Sequence, residues 1–236
     1  MKTVIHKADT RGHETYGWLN TYHTFSFSDY YDHERVHFGA LRVLNDDYIS
    51  AGAGFGMHPH DNMEIVTIPL AGVLEHKDSM GHTQTIARND VQIISAGSGI
   101  KHSEYNKSKD SSLNLLQIWV FPKEKNIKSG YDQETFNEEE RKNKFQIIVA
   151  PDNSIKSLWI NQDAWFSIGS FEKGRSTKYD LKMAGNGMYM FLIEGKIEVN
   201  GIEAGRRDGI GIWETDELEI NTIEDSEILI IEVPMK

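Results

Sequence analysis

The sequence contains no cysteine among its 236 residues. This absence excludes disulfide scaffolds, thiolate-ligated zinc and cysteine nucleophiles, and it fits a reducing compartment. No apolar run reaches the roughly 18 residues of a membrane-spanning helix. The first 12 residues also lack the apolar stretch of a secretory signal peptide. We therefore predict a cytoplasmic protein that does not enter a membrane.

Basic charge is also scarce, with 25 lysines and arginines against 36 acidic residues and a net charge of −11. Without a basic block, the chain has no means of neutralising phosphates, so neither direct nucleic-acid binding nor docking on an anionic membrane is expected. The length suits one large domain or two small ones. A chain of this size buries enough apolar surface to fold without a structural metal.

Histidine is missing from the last 134 residues, since all ten histidines lie between His6 and His102. The neutral imidazole is the commonest metal ligand in proteins, and its ordinary pKa lies close to physiological pH. This distribution predicts that the chemistry of the protein is located in the first half of the chain.

Short runs of aliphatic and aromatic residues, separated by turn residues such as Asn45–Asp46, predict an all-β fold of the sandwich or barrel type. The predicted strands are 38–44, 48–54, 63–70, 73–78, 83–87, 91–95, 114–121, 146–150, 157–160, 164–171, 177–181, 188–193, 196–200, 209–213, 217–221 and 227–233. Between them, the acidic-to-basic segment 138–142 predicts a short solvated linker helix capped by Asn137. The pair Asn200–Gly201 predicts a hairpin turn.

A weak internal repeat suggests two related halves. Residues 65–72 and 188–195 are both apolar strands that end at a glycine and are followed by an alternating strand. We therefore predict two β domains, 1–135 and 136–236.

The motif His58-Pro59-His60 is the sharpest chemical signal. Residues i and i+2 of an extended chain project to the same face, so this motif presents two imidazoles together. His102-Ser103-Glu104 repeats the spacing after a glycine-rich turn. On adjacent strands of a small barrel, three imidazoles and one carboxylate could converge on one ion. This donor set suits Fe(II), Mn(II), Ni(II), Cu(II) or Zn(II). Four ligands leave two positions of an octahedral ion open, unlike the closed coordination of structural zinc.

These residues resemble a known family. GFGMHPHDNMEIVTIPLAG (54–72) is similar to the first cupin motif, and NDVQIISAGSGIKHSEYN (89–106) is similar to the second, although it has Val91 and Gly97 where the motif has glycine and proline. Together with WLNTYHTFSFSDYYD (18–32), they resemble the pirin family over about the first 120 residues. The similarity is greatest to the short bacterial pirin-like proteins described as quercetin 2,3-dioxygenases.

The resemblance implies a bicupin fold of two β-barrel domains. It also implies a single divalent metal in the N-terminal cupin (1–135). Fe(II) is the expected ion, and Mn, Ni, Cu and Zn are the alternatives. The C-terminal cupin (136–236) lacks ligands, because Leu181 and Met183 stand where the histidine pair would lie. The implied ligands are His58, His60, His102 and a carboxylate.

Two carboxylates compete for the fourth position. The general cupin pattern points to Glu64, whereas the pirin pattern and the i, i+2 spacing from His102 favour Glu104. Glu64 would then lie behind the ligands and hold one of their imidazoles.

The resemblance further implies a dioxygenase that opens the central ring of a flavonol-like substrate with O₂ and releases carbon monoxide, with Glu104 accepting the substrate's hydroxyl proton. The alternative is a metal- or redox-responsive module that binds a protein partner, and a weaker third hypothesis is a closed structural zinc site. His23, Phe25, Phe27 and His76 are candidates for the rim of a substrate pocket. Core packing explains the first three equally well, and a polar hairpin loop is the favoured explanation for His76. Trp119 is assigned to the core by its strand alternation.

Overall fold

The computed structural model describes residues 1–152 and 156–236, and the regular structure within them consists of 22 β-strands and two short 3₁₀ helices, Ala8–Thr10 and Glu138–Arg141. The strands form two sheets of seven and two of four. This arrangement confirms the predicted all-β bicupin class. In the described residues no helix is long and apolar enough to cross a membrane, and the cytoplasmic location stays a prediction.

One seven-stranded and one four-stranded sheet form the N-terminal barrel. The larger sheet has the order β12 (Gly130–Thr135), β9 (Asp90–Ser95), β6 (Glu64–Ala71), β11 (Leu113–Val120), β4 (Leu41–Ile49), β3 (Leu19–His23) and β2 (Gly12–Thr15). The smaller sheet has the order β5 (Gly54–His60), β10 (Ile100–Asn106), β7 (Val73–Asp78) and β8 (Thr83–Ala87).

The other two sheets form the C-terminal barrel. The larger has the order β1 (Lys2–His6), β20 (Gly209–Trp213), β17 (Asn186–Glu194), β22 (Ser226–Pro234), β15 (Trp165–Phe171), β13 (Phe145–Ala150) and β14 (Leu158–Trp159). The smaller has the order β16 (Ser176–Asp180), β21 (Glu217–Thr222), β18 (Lys196–Val199) and β19 (Ile202–Gly205). Strand β1 joins the first residues of the chain to this barrel, and the domain boundary after residue 135 stays a prediction.

The two seven-stranded sheets pack face to face. Val66 and Ile68 of β6 share one buried apolar cluster with Phe191 and Leu229 of the C-terminal barrel. Because side chains alternate between the faces of a strand, Thr67 points the other way, into the N-terminal barrel, where its hydroxyl lies 3.4 Å from Glu104 Oε1. Odd and even positions of β6 therefore serve different regions of the molecule.

Strand β4 runs unbroken through the turn predicted at Asn45–Asp46, so that prediction is wrong. Both polar side chains have partners inside the fold. The Asn45 amide oxygen lies 2.8 Å from His23 Nδ1, and the Asp46 carboxylate lies 3.3 Å from Nε of Arg207, across the domain interface. Long-range partners therefore let polar residues occupy a buried strand.

The predictions made from local capping and turn residues are confirmed more often. The Asn137 side chain accepts a hydrogen bond from the backbone of Glu139 at 3.0 Å and caps the helix Glu138–Arg141, as predicted. This helix is not a solvated linker, however, because Arg141 is buried and donates to Glu227 at 3.1 Å.

The predicted hairpin is also confirmed. Asn200 and Gly201, with φ angles of 46° and 79°, connect β18 to β19. Positive φ angles at both central residues are typical of the type I′ turn that Asn-Gly favours.

Candidate metal centre

Three imidazoles meet on the paired strands β5 and β10. His102 lies directly opposite His58 in the antiparallel register. The ring centroids are 4.4 Å apart for His58 and His102, 4.8 Å for His58 and His60, and 4.9 Å for His60 and His102. One ring nitrogen from each residue lies within 4.8 Å of the others, a grouping that can hold a metal ion. The structure thus brings the three predicted histidines together.

An irregularity in β5 shapes the surroundings of this cluster. His58 pairs with His102 and Phe55 pairs with Glu104, so β5 advances by three residues where β10 advances by two. Such a bulge redirects a side chain, and the Phe55 ring comes to lie 6.3 Å from that of His58. Gly54 is required at the same crossing, because a Cβ there would collide with the carbonyl oxygen of Glu104.

The imidazoles are prepared for coordination. His58 Nδ1 lies 2.8 Å from the carbonyl oxygen of Gly56. Since a carbonyl only accepts, Nδ1 carries the hydrogen and Nε2 keeps its lone pair. Burial, followed by the neighbouring histidines, lowers the pKa of His60 to about 4 and that of His102 to about 3. His60 and His102 are therefore neutral at physiological pH, as a metal ligand must be.

His102 is the residue of the cluster whose surroundings fit a metal ligand best. The residue is 1% exposed, and neither ring nitrogen has a hydrogen-bond partner among the described residues. Leaving a buried polar group unpaired costs about 1–3 kcal/mol. Coordination of a cation by the lone pair would remove much of this cost, so the residues fit a borderline divalent metal.

Glu104 points into the same barrel from β10. Its Oε1 accepts a hydrogen bond from Gln92 Nε2 at 2.9 Å, and its Oε2 accepts one from Gln117 Nε2 at 2.8 Å. The carboxylate forms a second potential metal-binding group with His102 and His76, so the two groups share His102. Its role as the fourth ligand stays a prediction.

Glu64 lies elsewhere. Its Oε2 accepts hydrogen bonds from the Ser95 hydroxyl at 2.7 Å and from the backbone N–H of Asn161 at 3.2 Å. Among the described residues it contacts no imidazole, contrary to the prediction, because the alternation of β6 turns it toward the domain interface with Val66 and away from Thr67. Burial raises its pKa.

The four candidate rim residues lie in different parts of the structure. His23 and Phe27 line a cavity of about 440 Å³, and their role at the rim of a substrate pocket stays a prediction. Phe25 does not line this cavity, because it is 1% exposed and packs between the domains, with its ring 5.4 Å from that of Tyr189. His76 is also wrong as a rim residue, since it is fully buried on β7 opposite Glu104.

Sequence reasoning missed several neighbours of the cluster. Trp119, assigned to the core, stands edge-on to His60 at 4.9 Å, and its buried Nε1 is unpaired within the described ranges. Gln117 lies two residues earlier on the same face of β11 and holds Glu104. The available signal was strand parity, because Gln117 is a polar residue that lies two positions from Trp119 in a largely apolar strand.

Asp47 is a further acidic group near the cluster. It is 4% exposed, it accepts a hydrogen bond from the Thr21 hydroxyl, and it takes part in no ion pair among the described residues. Burial, reinforced by the charges of Asp46 and Glu104, raises its pKa from 3.8 to about 7.

Asp47→Asn is expected to stabilise the protein at pH 8 but not at pH 4. A raised carboxyl pKa means that the folded state keeps a proton that the unfolded state has released, so stability falls as pH rises from about 4 to about 7. The neutral amide removes this loss, which amounts to about 4 kcal/mol at most. Urea unfolding of both proteins across this range measures the difference, and a difference independent of pH would contradict the assignment.

Comparisons with known proteins agree with this architecture. The Pirin family model matches residues 4–120, and the model of the quercetinase C-terminal cupin domain matches residues 147–233. A protein of Escherichia coli strain K12 named quercetin 2,3-dioxygenase is 40% identical over 230 residues, which are 98% of each chain. A pirin-like protein of Caulobacter vibrioides is 36% identical and covers 95% of this chain and 96% of its own.

A solved structure gives the same result in three dimensions. A bacterial pirin from Escherichia coli, in complex with nickel(II), superposes with a TM-score of 0.94 at 39% sequence identity, over 100% of both chains. Similarity of this extent in sequence and structure leaves no ambiguity about ancestry. The chain belongs to the pirin family.

Proposed function

We propose that this protein is a metal-dependent dioxygenase that uses O₂ to open the central ring of a flavonol and release carbon monoxide. The observation that carries the proposal is the convergence of His58, His60 and His102, with both nitrogens of the buried His102 unpaired among the described residues. The relatives named quercetin 2,3-dioxygenase support the substrate class.

The proposed ligands are His58, His60, His102 and Glu104, with Fe(II) as the resident ion. Imidazole and carboxylate donors suit Fe(II), and they also suit Mn, Ni, Cu and Zn. When bound, the ion would act as a Lewis acid that lowers the pKa of a substrate hydroxyl, and it would offer open coordination positions to the substrate.

The protein's own residues would place the substrate and move its proton. Glu104 would accept the hydroxyl proton, and Gln92 and Gln117 would keep its carboxylate aimed into the barrel through their amide hydrogens. Phe55 and Trp119, whose rings lie beside His58 and His60, would exclude water from the reacting centre.

The cavity favours an enzyme over a metal-responsive interaction module. It has a volume of about 440 Å³, within the usual range for small-molecule sites, and its wall includes Phe55, the neighbour of His58. An interaction module needs an exposed patch, whereas a catalyst needs room for an aromatic substrate beside the metal ligands.

The test is turnover of quercetin by protein loaded anaerobically with Fe(II), followed by the loss of long-wavelength absorbance after O₂ is admitted. We expect turnover by the wild type and none above background by the His58→Ala/His102→Ala double variant. His33→Gln is the matched control, because His33 is exposed and lies outside the cluster. Stoichiometric metal without turnover on any flavonol would reject the dioxygenase and favour the interaction module.

A further inference from the structure

The cavity beside the imidazole cluster has two chemically different regions. Trp18, Phe27 and Phe55 give it aromatic walls, with the Trp18 and Phe55 rings meeting edge to face at 5.1 Å. Thr21, Asn45 and Asp47 give it a polar floor. A flat aromatic molecule with polar substituents matches this division.

The aromatic walls connect the cavity to the candidate metal centre on two sides. Phe55 lies 6.3 Å from His58 between ring centroids. Phe27 lies 5.3 Å from Trp119, which in turn lies 4.9 Å from His60. A substrate reaching the imidazoles along these rings would place its far end in the cavity.

The polar floor is built on strand β4. Asn45 and Asp47 are two residues apart and therefore share the inward face of the strand. One carboxylate oxygen of Asp47 accepts the hydrogen bond from Thr21, and the other has no hydrogen-bond partner among the described residues. Arg11 and Arg207 form ion pairs with the neighbouring Asp46, which lies on the opposite face of the strand.

Asn45 complements this free acceptor. Its amide oxygen faces His23 Nδ1 at 2.8 Å, so its amide nitrogen is left to donate, and within the described ranges that nitrogen makes no hydrogen bond. A phenolic hydroxyl both donates and accepts. The floor thus offers an acceptor and a donor from adjacent inward positions of one strand.

We propose that Asp47 and Asn45 form a subsite that recognises a ring hydroxyl of the aromatic substrate other than the one at the metal, with Thr21 positioning the Asp47 carboxyl. The proposal rests on the proposed function for the identity of the substrate. The raised pKa of Asp47 agrees with it, because a buried carboxyl without a cation readily shares a proton with a hydroxyl.

The test compares two flavonols in the metal-loaded protein. Quercetin carries ring hydroxyls, and 3-hydroxyflavone has only the hydroxyl beside the carbonyl. Asp47→Ala is expected to lower kcat/KM for quercetin about 10- to 100-fold, the effect of losing one hydrogen bond to a buried carboxyl, and to leave 3-hydroxyflavone within about twofold. Thr21→Val should produce a smaller loss in the same direction, and Thr21→Ser should restore the wild-type ratio.

Calorimetric binding of both flavonols under anaerobic conditions gives a second readout that does not depend on catalysis. Discrimination in binding that Asp47→Ala abolishes supports the subsite even if no variant turns over, an outcome that would reject only the dioxygenase. Equal losses for both flavonols, no loss for either, or no binding to the wild type would overturn the subsite. If Asp47→Ala does not fold, the Thr21 pair decides between the same outcomes.

Discussion

His102→Leu is expected to abolish metal-dependent stabilisation while leaving the metal-free protein as stable as the wild type, or more stable. The imidazole of His102 is buried with both nitrogens unpaired among the described residues, a state that costs about 1–3 kcal/mol for each unmatched group. Leucine has a similar size and carries no polar atom, so the chelator-treated variant loses this cost.

Added metal should stabilise the wild type but not His102→Leu. A ligand that binds only the folded state at 100 times its dissociation constant adds about 2.7 kcal/mol of stability. We expect this gain in the wild type and in the control His33→Gln, but not in His102→Leu. Urea unfolding with chelator and with Ni(II) measures it. An equal gain in His102→Leu would remove His102 from the ligand set.

Glu104→Gln is expected to retain metal and lose turnover. Three imidazoles remain to bind the ion, but the amide cannot accept the substrate's proton, and loss of general base catalysis lowers kcat about 10²- to 10⁴-fold. The side chain keeps its shape, and its single amide oxygen can still accept a hydrogen bond from Gln92 or from Gln117.

Glu64→Gln is the matched control for this change. Glu64 is equally buried, but it contacts Ser95 and Asn161 at the domain interface. We expect normal metal content and turnover within about twofold of the wild type, since Glu64 contacts neither Glu104 nor the three imidazoles among the described residues. The reverse pattern, with Glu104→Gln active and Glu64→Gln inactive, would restore the general cupin assignment.

Short-range sequence patterns predicted the parts of this protein that local geometry determines. The i, i+2 spacing put His58 and His60 on one face, and the Asn200–Gly201 turn formed because its backbone preference is local. The resemblance to pirins correctly supplied the bicupin architecture around them.

The predictions that failed concern positions that depend on long-range packing. The turn predicted at Asn45–Asp46 failed because partners far along the chain, His23 and Arg207, satisfy these polar side chains inside a strand. Glu64 was misplaced because its direction depends on which face of β6 meets the C-terminal barrel, and that contact involves residues more than 100 positions later.

The positions of residues around the candidate metal centre also could not be predicted from the sequence alone. Trp119 was assigned to the core and Phe25 to the pocket rim, yet Trp119 flanks His60 and Phe25 is buried between the domains. His76 reaches Glu104 only because β7 pairs with β10. The register between two strands depends on both strands and on the packing around them, so the sequence of one strand alone does not determine it.

The metal centre is tested most directly by the stoichiometry of metal bound to chelator-treated protein, measured by calorimetric titration with Ni(II) and confirmed by elemental analysis. We predict one equivalent in the wild type and none in the His58→Ala/His102→Ala variant, with both proteins folded. One equivalent in both proteins would place the metal elsewhere, and none in the wild type would contradict the metal centre itself.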